Sequence, residues 1–219
     1  GYGFIPQFLT FTNVTADQGS ASFTAKALFT DSITLVPGWN LVSFNLQPYP
    51  STAPADVLTS LDVVGPPLTH NYDLVYAWDA TAGWTHYDSR TTVGNTLAAL
   101  NETQGFWIHV TALVNQTLTV TGFKPIPSTD ISLKTGWNLV GFPSSSTSLA
   151  MPGALEGTPS AWTGYTLVYA YHPTDTSGPW KVYDRNAPGW VNDLTTLAHG
   201  WGYWIEVTDP VGHTWNVVY

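Results

Sequence analysis

The sequence predicts a mostly β protein made of two tandem β-sandwich-like or barrel-like modules, with short helical turns and a β extension at the N-terminus. Three observations predict this class. One motif opens two stretches of the chain, a second motif closes both, and the runs between them are short, rich in Val, Thr, Trp and Tyr, and separated by Gly, Pro and Asp. Frequent short strands bounded by turn residues are typical of sandwiches and barrels.

The internal repeat sets the predicted module boundaries. Residues 35–44 return as 133–142 with seven of ten positions identical, and residues 95–110 return as 192–207. The offset is 98 residues at the opening motif and 97 at the closing motif. A nearly constant offset indicates two copies of one folding unit. We therefore predict an N-terminal extension at 1–31, a first module at 32–122, a Pro-rich linker at 123–129 and a second module at 130–219.

The N-terminal extension contains two runs with strand character. Residues 7–15 and 20–29 alternate apolar residues with Thr or Ser on either side of an Asp-Gln-Gly turn, and neither run recurs before the second module. A strand beside a β-rich module needs a sheet edge to pair with. That edge belongs either to its own chain or to a neighbouring copy.

Within the first module, residues 33–44 predict a strand that Pro37 and Gly38 interrupt, and we expect a bulge or a tight bend that turns Trp39 toward the interior. A short helix is expected at 51–61, because a Pro lies near its first turn. The other expected elements are a hairpin at 73–78 and 84–87, a helical turn at 97–100, and strands at 106–110 and 117–121. The second module repeats this order, with a hairpin at 168–171 and 180–183, a helical turn at 194–197, and strands at 203–207 and 213–218.

Composition excludes several classes of partner and chemistry. Six Lys and Arg face fifteen Asp and Glu, for a net charge of −9, so the chain lacks the cations that a nucleic-acid groove or an anionic membrane surface requires. There is no Cys, which excludes disulfides, Cys-ligated zinc and a thiol nucleophile. Only 10% of the residues are charged. Three sequons, at Asn13, Asn101 and Asn115, predict covalent N-glycans as part of the solubilising layer.

The ends of the chain and its hydropathy suggest a location. The sequence begins at Gly1 without an initiator Met, as a mature chain does after removal of a signal peptide. It contains no run of the roughly 18 apolar residues that a membrane span needs. We expect a secreted protein that is extracellular or held at the cell surface.

The eleven Trp residues fall into two groups. Six recur at equivalent places of the two modules, and we interpret them as core residues that fix the fold: Trp39 and Trp137, Trp84 and Trp180, Trp107 and Trp204. The others have no Trp at the equivalent place. Among them Trp162 and Trp190 are the candidates for contact with a glycan, because flat indole rings stack on the faces of sugars.

No motif for catalysis or metal binding emerges. Asp88 and Asp184 occupy equivalent places, one in each module, which is the pattern of a recurring turn residue and not of a paired acid and base. The six His residues show no spacing typical of metal ligands, and no Gly-rich phosphate loop is present. We expect no enzymatic activity, no cofactor and no metal.

The Gly-Trp-Asn opening and the Gly-Phe/Tyr-Trp-Ile closing resemble a repeat found in large secreted and cell-surface proteins of bacteria and archaea. The resemblance covers both modules and implies a fold without an activity. In layout alone, the N-terminal extension resembles the donor strands of archaeal bundling pili, archaeal threads and chaperone–usher pilins, in which an extended segment completes the sheet of a neighbouring subunit.

Two hypotheses of function follow from these observations. The first is a structural subunit of an extracellular filament or surface layer, a homopolymer formed by exchange of an N-terminal strand. Its donor residues are Phe4, Ile5, Phe8, Leu9, Phe11 and Val14. The alternative is a secreted carbohydrate-binding module or adhesin that uses exposed Trp and Tyr side chains.

Overall fold

A computed structural model describes residues 9–17, 20–63, 69–157 and 162–219, with side chains from residue 26 onward. It confirms a mostly β protein in which every paired strand is antiparallel. Helical structure in the described part is limited to single turns: α1 (Pro54–Val57), α2 (Gly153–Glu156), and the 3₁₀ turns Thr59–Leu61 and Gly189–Val191.

The chain starts, within the described residues, with a β-hairpin that forms a two-stranded sheet of its own. Strand β1 (Leu9–Asp17) pairs with β2 (Ser20–Ala27), with an irregularity in register between Thr12 and Thr15. Of the expected donor residues, Leu9, Phe11 and Val14 lie in β1. The other three, Phe4, Ile5 and Phe8, lie outside the described residues.

The first half of the remaining chain forms two facing sheets. Its strands are β3 (Phe29–Leu35), β4 (Gly38–Ser43), β5 (Gln47–Pro48), β6 (Asp62–Val63), β7 (Thr69–His70), β8 (Tyr72–Asp79), β9 (Gly83–Asp88), β10 (Gly105–Val110) and β11 (Gln116–Phe123). One sheet has the order β4-β10-β8-β9, the other has the order β3-β11-β5, and β6 pairs with β7.

The second half has an equivalent four-stranded sheet. Its strands are β12 (Ser128–Leu133), β13 (Gly136–Val140), β14 (Leu149–Ala150), β15 (Tyr165–Tyr171), β16 (Trp180–Asp184), β17 (Thr196–Leu197), β18 (Tyr203–Val207) and β19 (His213–Val218). The large sheet has the order β13-β18-β15-β16, which matches the order in the first half. The facing sheet contains β12 and β19, and β14 pairs with β17.

Each half has its own apolar core between two sheets. Alternate residues of β10, Phe106, Ile108 and Val110, are buried against a cluster that includes Leu118 of β11. In the second half, Ile205 of β18 packs in a cluster with residues of β12 and β19. This is a sandwich-like arrangement, and the described strands form no closed barrel.

The Gly-Trp-Asn motif is a closed turn that leads into β4 and β13. Gly38 has a φ of +86°, a backbone conformation that residues with a Cβ atom rarely adopt. The side-chain carbonyl of Asn40 accepts the N–H of Val36 at 2.9 Å, and its amide donates to the carbonyls of Val36 and Gly38 at 2.8 and 3.0 Å. Asn138 makes the same three bonds in the second half. The buried Asn therefore holds a tight turn, as one of the two expected forms. The indole of Trp39 projects outward, so the expected inward direction of Trp39 is wrong.

Two expected helical turns are also wrong. Residues 95–100 form no helix, and Thr196–Leu197 belongs to strand β17. The backbone N–H groups of Thr96 and Leu97 both donate to the carbonyl of His86, at 2.9 and 2.8 Å. These two bonds attach the segment to strand β9, and Leu97 is buried in the core.

Candidate aromatic binding face

The two four-stranded sheets are joined by reciprocal backbone bonds at the ends of β4 and β13. Val42 forms an antiparallel bridge with Trp201, and Gln104 forms the equivalent bridge with Val140. The hydroxyl of Ser43 donates to the carbonyl of Trp201 at 2.7 Å. We call this region the joint. It places an edge of each sheet against the other.

Glycines make the joint possible because the two backbones approach closely there. A Cβ atom added to Gly105 would lie 2.6 Å from the carbonyl oxygen of Val140, and one added to Gly202 would lie 2.9 Å from that of Val42. Gly105 is the first residue of β10, and the equivalent Gly202 immediately precedes β18. The repeated Gly of the closing motif therefore serves the contact between the halves.

Ten aromatic side chains lie on the outer faces of the two joined sheets, in the part of the chain that the structure describes. They comprise five from the first sheet and the five at equivalent positions of the second: Trp39, Tyr76, Trp78, Trp84 and Trp107, and Trp137, Tyr169, Tyr171, Trp180 and Trp204. We call this surface the aromatic face. Strand alternation explains it, since the residues between the buried positions of each strand point away from the core.

The aromatic face is continuous across the joint. The ring centroids of Trp84 and Trp204 lie 5.7 Å apart, and those of Trp107 and Trp180 are separated by the same distance. The indole N–H of Trp78 donates to the backbone carbonyl of Trp137 at 2.9 Å. Rings from one half thus complete the surface of the other.

Two clefts open on the aromatic face, and both are walled by rings from both halves. The first has a volume of about 470 Å³ and is lined by Trp78, Trp84, Trp137, Tyr169, Trp180 and Trp204. The second has a volume of about 630 Å³ and is lined by Trp39, Tyr76, Trp84, Trp107 and Tyr171. These volumes fall in the range of small-molecule sites, roughly 300–1,000 Å³. Trp84 contributes to both clefts.

Four polar side chains, which we call the polar border, adjoin the aromatic face on the first sheet. The ring of His109 lies 4.8 Å from that of Trp39, and its Nδ1 is 2.7 Å from a carboxylate oxygen of Asp73. Arg90 donates to both carboxylate oxygens of Asp88, at 2.8 and 2.9 Å, and to Asp73 at 3.2 Å. The hydrogen bonds from the Arg90 guanidinium lower the pKa of Asp88 to about 2. The Asp88 carboxylate is therefore ionised at neutral pH and is held in place by Arg90.

The second half has a different pair at the equivalent place. Glu206 occupies the position of His109, and Thr166 occupies that of Asp73. The Thr166 hydroxyl donates to the Glu206 carboxylate. The two ends of the aromatic face thus differ in charge and in hydrogen-bonding groups, although their rings are equivalent.

The six recurring Trp residues are not core residues, and this interpretation is wrong. The exposed fraction is 51% for Trp84, 47% for Trp180 and 38% for both Trp39 and Trp137, and Trp107 and Trp204 are half-buried. The informative signal was alternation. Trp107 lies between Phe106 and Ile108, which both enter the core, so the indole must point the other way.

The two Trp residues expected to contact a glycan lie apart from the rings that line the clefts. Trp190 is 86% exposed, in the turn Gly189–Val191. Trp162 is half-buried and stacks on His213, with the ring centroids 4.1 Å apart. The His213 ring therefore covers one face of the Trp162 indole.

The expected glycosylation sites differ in exposure. Asn115 is exposed. Asn101 is half-buried, and its carbonyl accepts both the N–H and the hydroxyl of Thr103, at 2.9 and 2.6 Å. Asn13 lies in β1, and its side chain is outside the described part.

The residues considered for chemistry have structural contacts. The carboxylates of Asp88 and Asp184 accept the backbone N–H of Arg90 and Asn186, two residues further along, so both are turn residues as expected. Within residues 9–17, 20–63, 69–157 and 162–219, no group of three His, Asp or Glu is placed to hold a metal ion.

No helix in the described ranges has the length and apolar character to cross a membrane. Comparison of the chain with protein-family models, with curated proteins and with solved structures finds no match in any of the three.

Proposed function

We propose that this chain is an extracellular glycan-binding protein whose aromatic face receives a sugar chain. The observation that carries the proposal is the cluster of ten outward rings, which surround two clefts at the joint. The expected carbohydrate-binding role is thus assigned to the aromatic face, and not to Trp162 and Trp190.

The chemistry of a sugar suits this surface. The C–H groups on one face of a pyranose ring carry partial positive charge, and the face of an aromatic ring carries the negative lobe of its quadrupole. The rings are held by contacts with one another, such as Trp78 with Trp84 at 5.4 Å and Trp107 with Tyr171 at 5.1 Å. A preformed surface loses little conformational entropy on binding.

Exposure of so many rings also favours a ligand over a purely structural role. Contiguous apolar surface of this kind marks an interaction site in soluble proteins. A sugar chain covers aromatic faces while its hydroxyl groups remain in water or reach polar neighbours. His109 supplies such a neighbour beside Trp39, and Arg90 bonds the same carboxylate, Asp73, as His109 does.

The test is affinity electrophoresis of the purified chain on a panel of soluble polysaccharides. We expect retardation on at least one of them, and loss of that retardation in Trp84→Ala, because Trp84 lines both clefts. Trp190→Ala is the matched control, since Trp190 is exposed but lines neither cleft. The proposal fails if the panel gives no retardation, or if Trp84→Ala and Trp190→Ala migrate alike.

A second candidate is the subunit of an extracellular filament, and the isolated β1–β2 hairpin favours it. Among the described strands, β1 pairs only with β2, and β2 pairs only with β1. A two-stranded hairpin is marginally stable alone in water, and its free edges favour pairing with another sheet. The acceptor we propose is the free edge of β19 in a neighbouring copy, because the sheet β12–β19 has two described strands where its counterpart has three.

Negative-stain microscopy tests the filament candidate. The full chain should form filaments, and a variant without residues 1–27 should remain a folded monomer. Trp84→Ala should still polymerise, which separates strand exchange from the aromatic face. Filaments formed by the truncated chain would contradict the donor role of the hairpin.

A further inference from the structure

The polar border carries an inference that deepens the proposed function and rests on it. We propose that the aromatic face selects an uncharged glycan, with His109 and Arg90 bonding hydroxyl groups of one sugar ring, and that it rejects glycans made of uronates. Three features favour such a ligand: the orientation of His109, the unused N–H donors of Arg90, and the negative charge of the surface.

His109 is oriented by a carboxylate. Its Nδ1 lies 2.7 Å from Asp73, so the proton of the neutral ring is held on Nδ1, and Nε2 is left with a lone pair. The side chain of His109 is 32% exposed, beside Trp39. In the neutral ring, Nε2 therefore accepts a hydrogen bond at the margin of the aromatic face. A sugar hydroxyl can donate that bond, and an ionised carboxylate cannot.

Arg90 supplies the complementary donors. Three of its five N–H groups bond Asp88 and Asp73, which leaves two, one on each terminal nitrogen. Its side chain is 60% exposed, so these groups face solvent. A hydroxyl group both donates and accepts hydrogen bonds. A sugar ring with two neighbouring hydroxyl groups can therefore donate to Nε2 of His109 and accept from the guanidinium of Arg90.

The charge of the surface opposes an anionic ligand. The single guanidinium of Arg90 faces Asp73 and Asp88 directly, and Glu206 lies at the equivalent place of the second sheet. The one guanidinium and the three carboxylates sum to a charge of −2, on a chain whose formal net charge is −9. A uronate bound against the border would bring its carboxylate next to two others, at a cost in Coulomb energy.

The experiment compares each neutral polysaccharide with its own carboxylated form. Mannan, laminarin and amylose are used beside samples whose primary alcohols have been oxidised to carboxylates, so that the backbone is matched. At low salt we expect the neutral form to bind at least about tenfold more tightly than the oxidised form. Added salt should reduce the ratio of the two affinities. Screening weakens the repulsion between the border carboxylates and the ligand carboxylates, so the oxidised form binds more tightly.

Two variants test whether the polar border causes the preference for neutral over carboxylated polysaccharides. The double change Asp73→Asn with Asp88→Asn should raise affinity for the oxidised form, because it removes two charges and frees N–H groups of Arg90. Arg90→Gln should weaken binding of the neutral form without changing the far-ultraviolet circular dichroism, because Arg90 is exposed.

The outcomes separate this inference from the proposed function. Equal binding of neutral and oxidised forms at low salt, with binding still lost in Trp84→Ala, would leave the glycan-binding function standing and overturn the selectivity. An unchanged ratio in the double Asp variant would likewise overturn the role of the border. Absence of binding to any neutral or oxidised polysaccharide would overturn both.

Discussion

The Ser43 hydroxyl ties together the two halves of the molecule by donating to the carbonyl of Trp201 at 2.7 Å. The same oxygen accepts the backbone N–H of Phe142 at 3.2 Å, in a buried environment. One small side chain therefore satisfies two backbone groups of the second half. The position equivalent to Ser43 is Gly141, whose N–H bonds the carbonyl of Thr103 at 2.9 Å.

Ser43→Ala should destabilise the protein by about 1–3 kcal/mol, because it removes the partner of a buried N–H and of a partly buried carbonyl. Urea unfolding followed by circular dichroism measures this change. Ser32→Ala is the control, since Ser32 is exposed and bonds only another hydroxyl, at 3.5 Å. Equal stability of the two variants would contradict the role of Ser43 in the joint.

Gly202→Ala should disturb the joint and the clefts together. The added methyl would lie 2.9 Å from the carbonyl of Val42 and 3.2 Å from the Cα atom of Gly105, and both are backbone atoms. We expect a loss of about 1–3 kcal/mol in stability, measured by urea unfolding, and weaker glycan binding. Gly178→Ala is the matched change, because no atom lies within 4 Å of its added methyl. A Gly202→Ala protein as stable as Gly178→Ala would show that the halves are not in close contact there.

Asn40→Ala should open the turn that precedes Trp39. Asn40 is buried and makes three hydrogen bonds to the backbone of that turn. Its loss should cost about 1–3 kcal/mol, and Asn138→Ala should cost a similar amount because the second turn has the same bonds. Thermal unfolding of both variants checks this. A large loss in only one of them would mean that the two turns are not equivalent.

Stability should decrease as the pH falls below about 6.5. Burial lowers the pKa of His213 and of His172 below the usual value of 6.5. A lowered pKa means that the unfolded chain binds more protons, so the contribution of these residues is present above pH 6.5 and is lost as the pH falls toward the folded-state pKa. Unfolding between pH 5 and 8 should be less pH-dependent in His213→Asn than in the unchanged chain. An unaltered pH profile would exclude His213 as the cause.

The strands and the repeated sheet order could be predicted in part from the sequence, because strand patterns and repeated motifs are visible in short stretches of the chain. The Gly-Trp-Asn turn recurs, and its Gly and Asn are both required by the backbone. The direction of Trp39 does not follow in the same way, because strands such as Gly105–Val110 carry large apolar residues on both faces. Hydrophobicity alone then assigns the indoles to the core, whereas alternation with Phe106 and Ile108 assigns them to the outside.

The joint and the two clefts depend on contacts between residues far apart in the chain. Ser43 and Trp201 are 158 residues apart, and no motif relates them. The repeated Gly105 and Gly202 are visible in the sequence, but their function at a close backbone contact appears only when the two sheets are brought together. The site is therefore a property of the paired halves.

Isothermal titration calorimetry on Trp84→Ala tests the central claim most directly. The titrant is the soluble neutral polysaccharide that the unchanged chain binds, and Trp190→Ala is titrated beside it. We predict that Trp84→Ala loses about 1–3 kcal/mol of binding free energy, as expected for a lost aromatic contact, and that Trp190→Ala binds like the unchanged chain. Undiminished affinity in a folded Trp84→Ala protein would contradict the account.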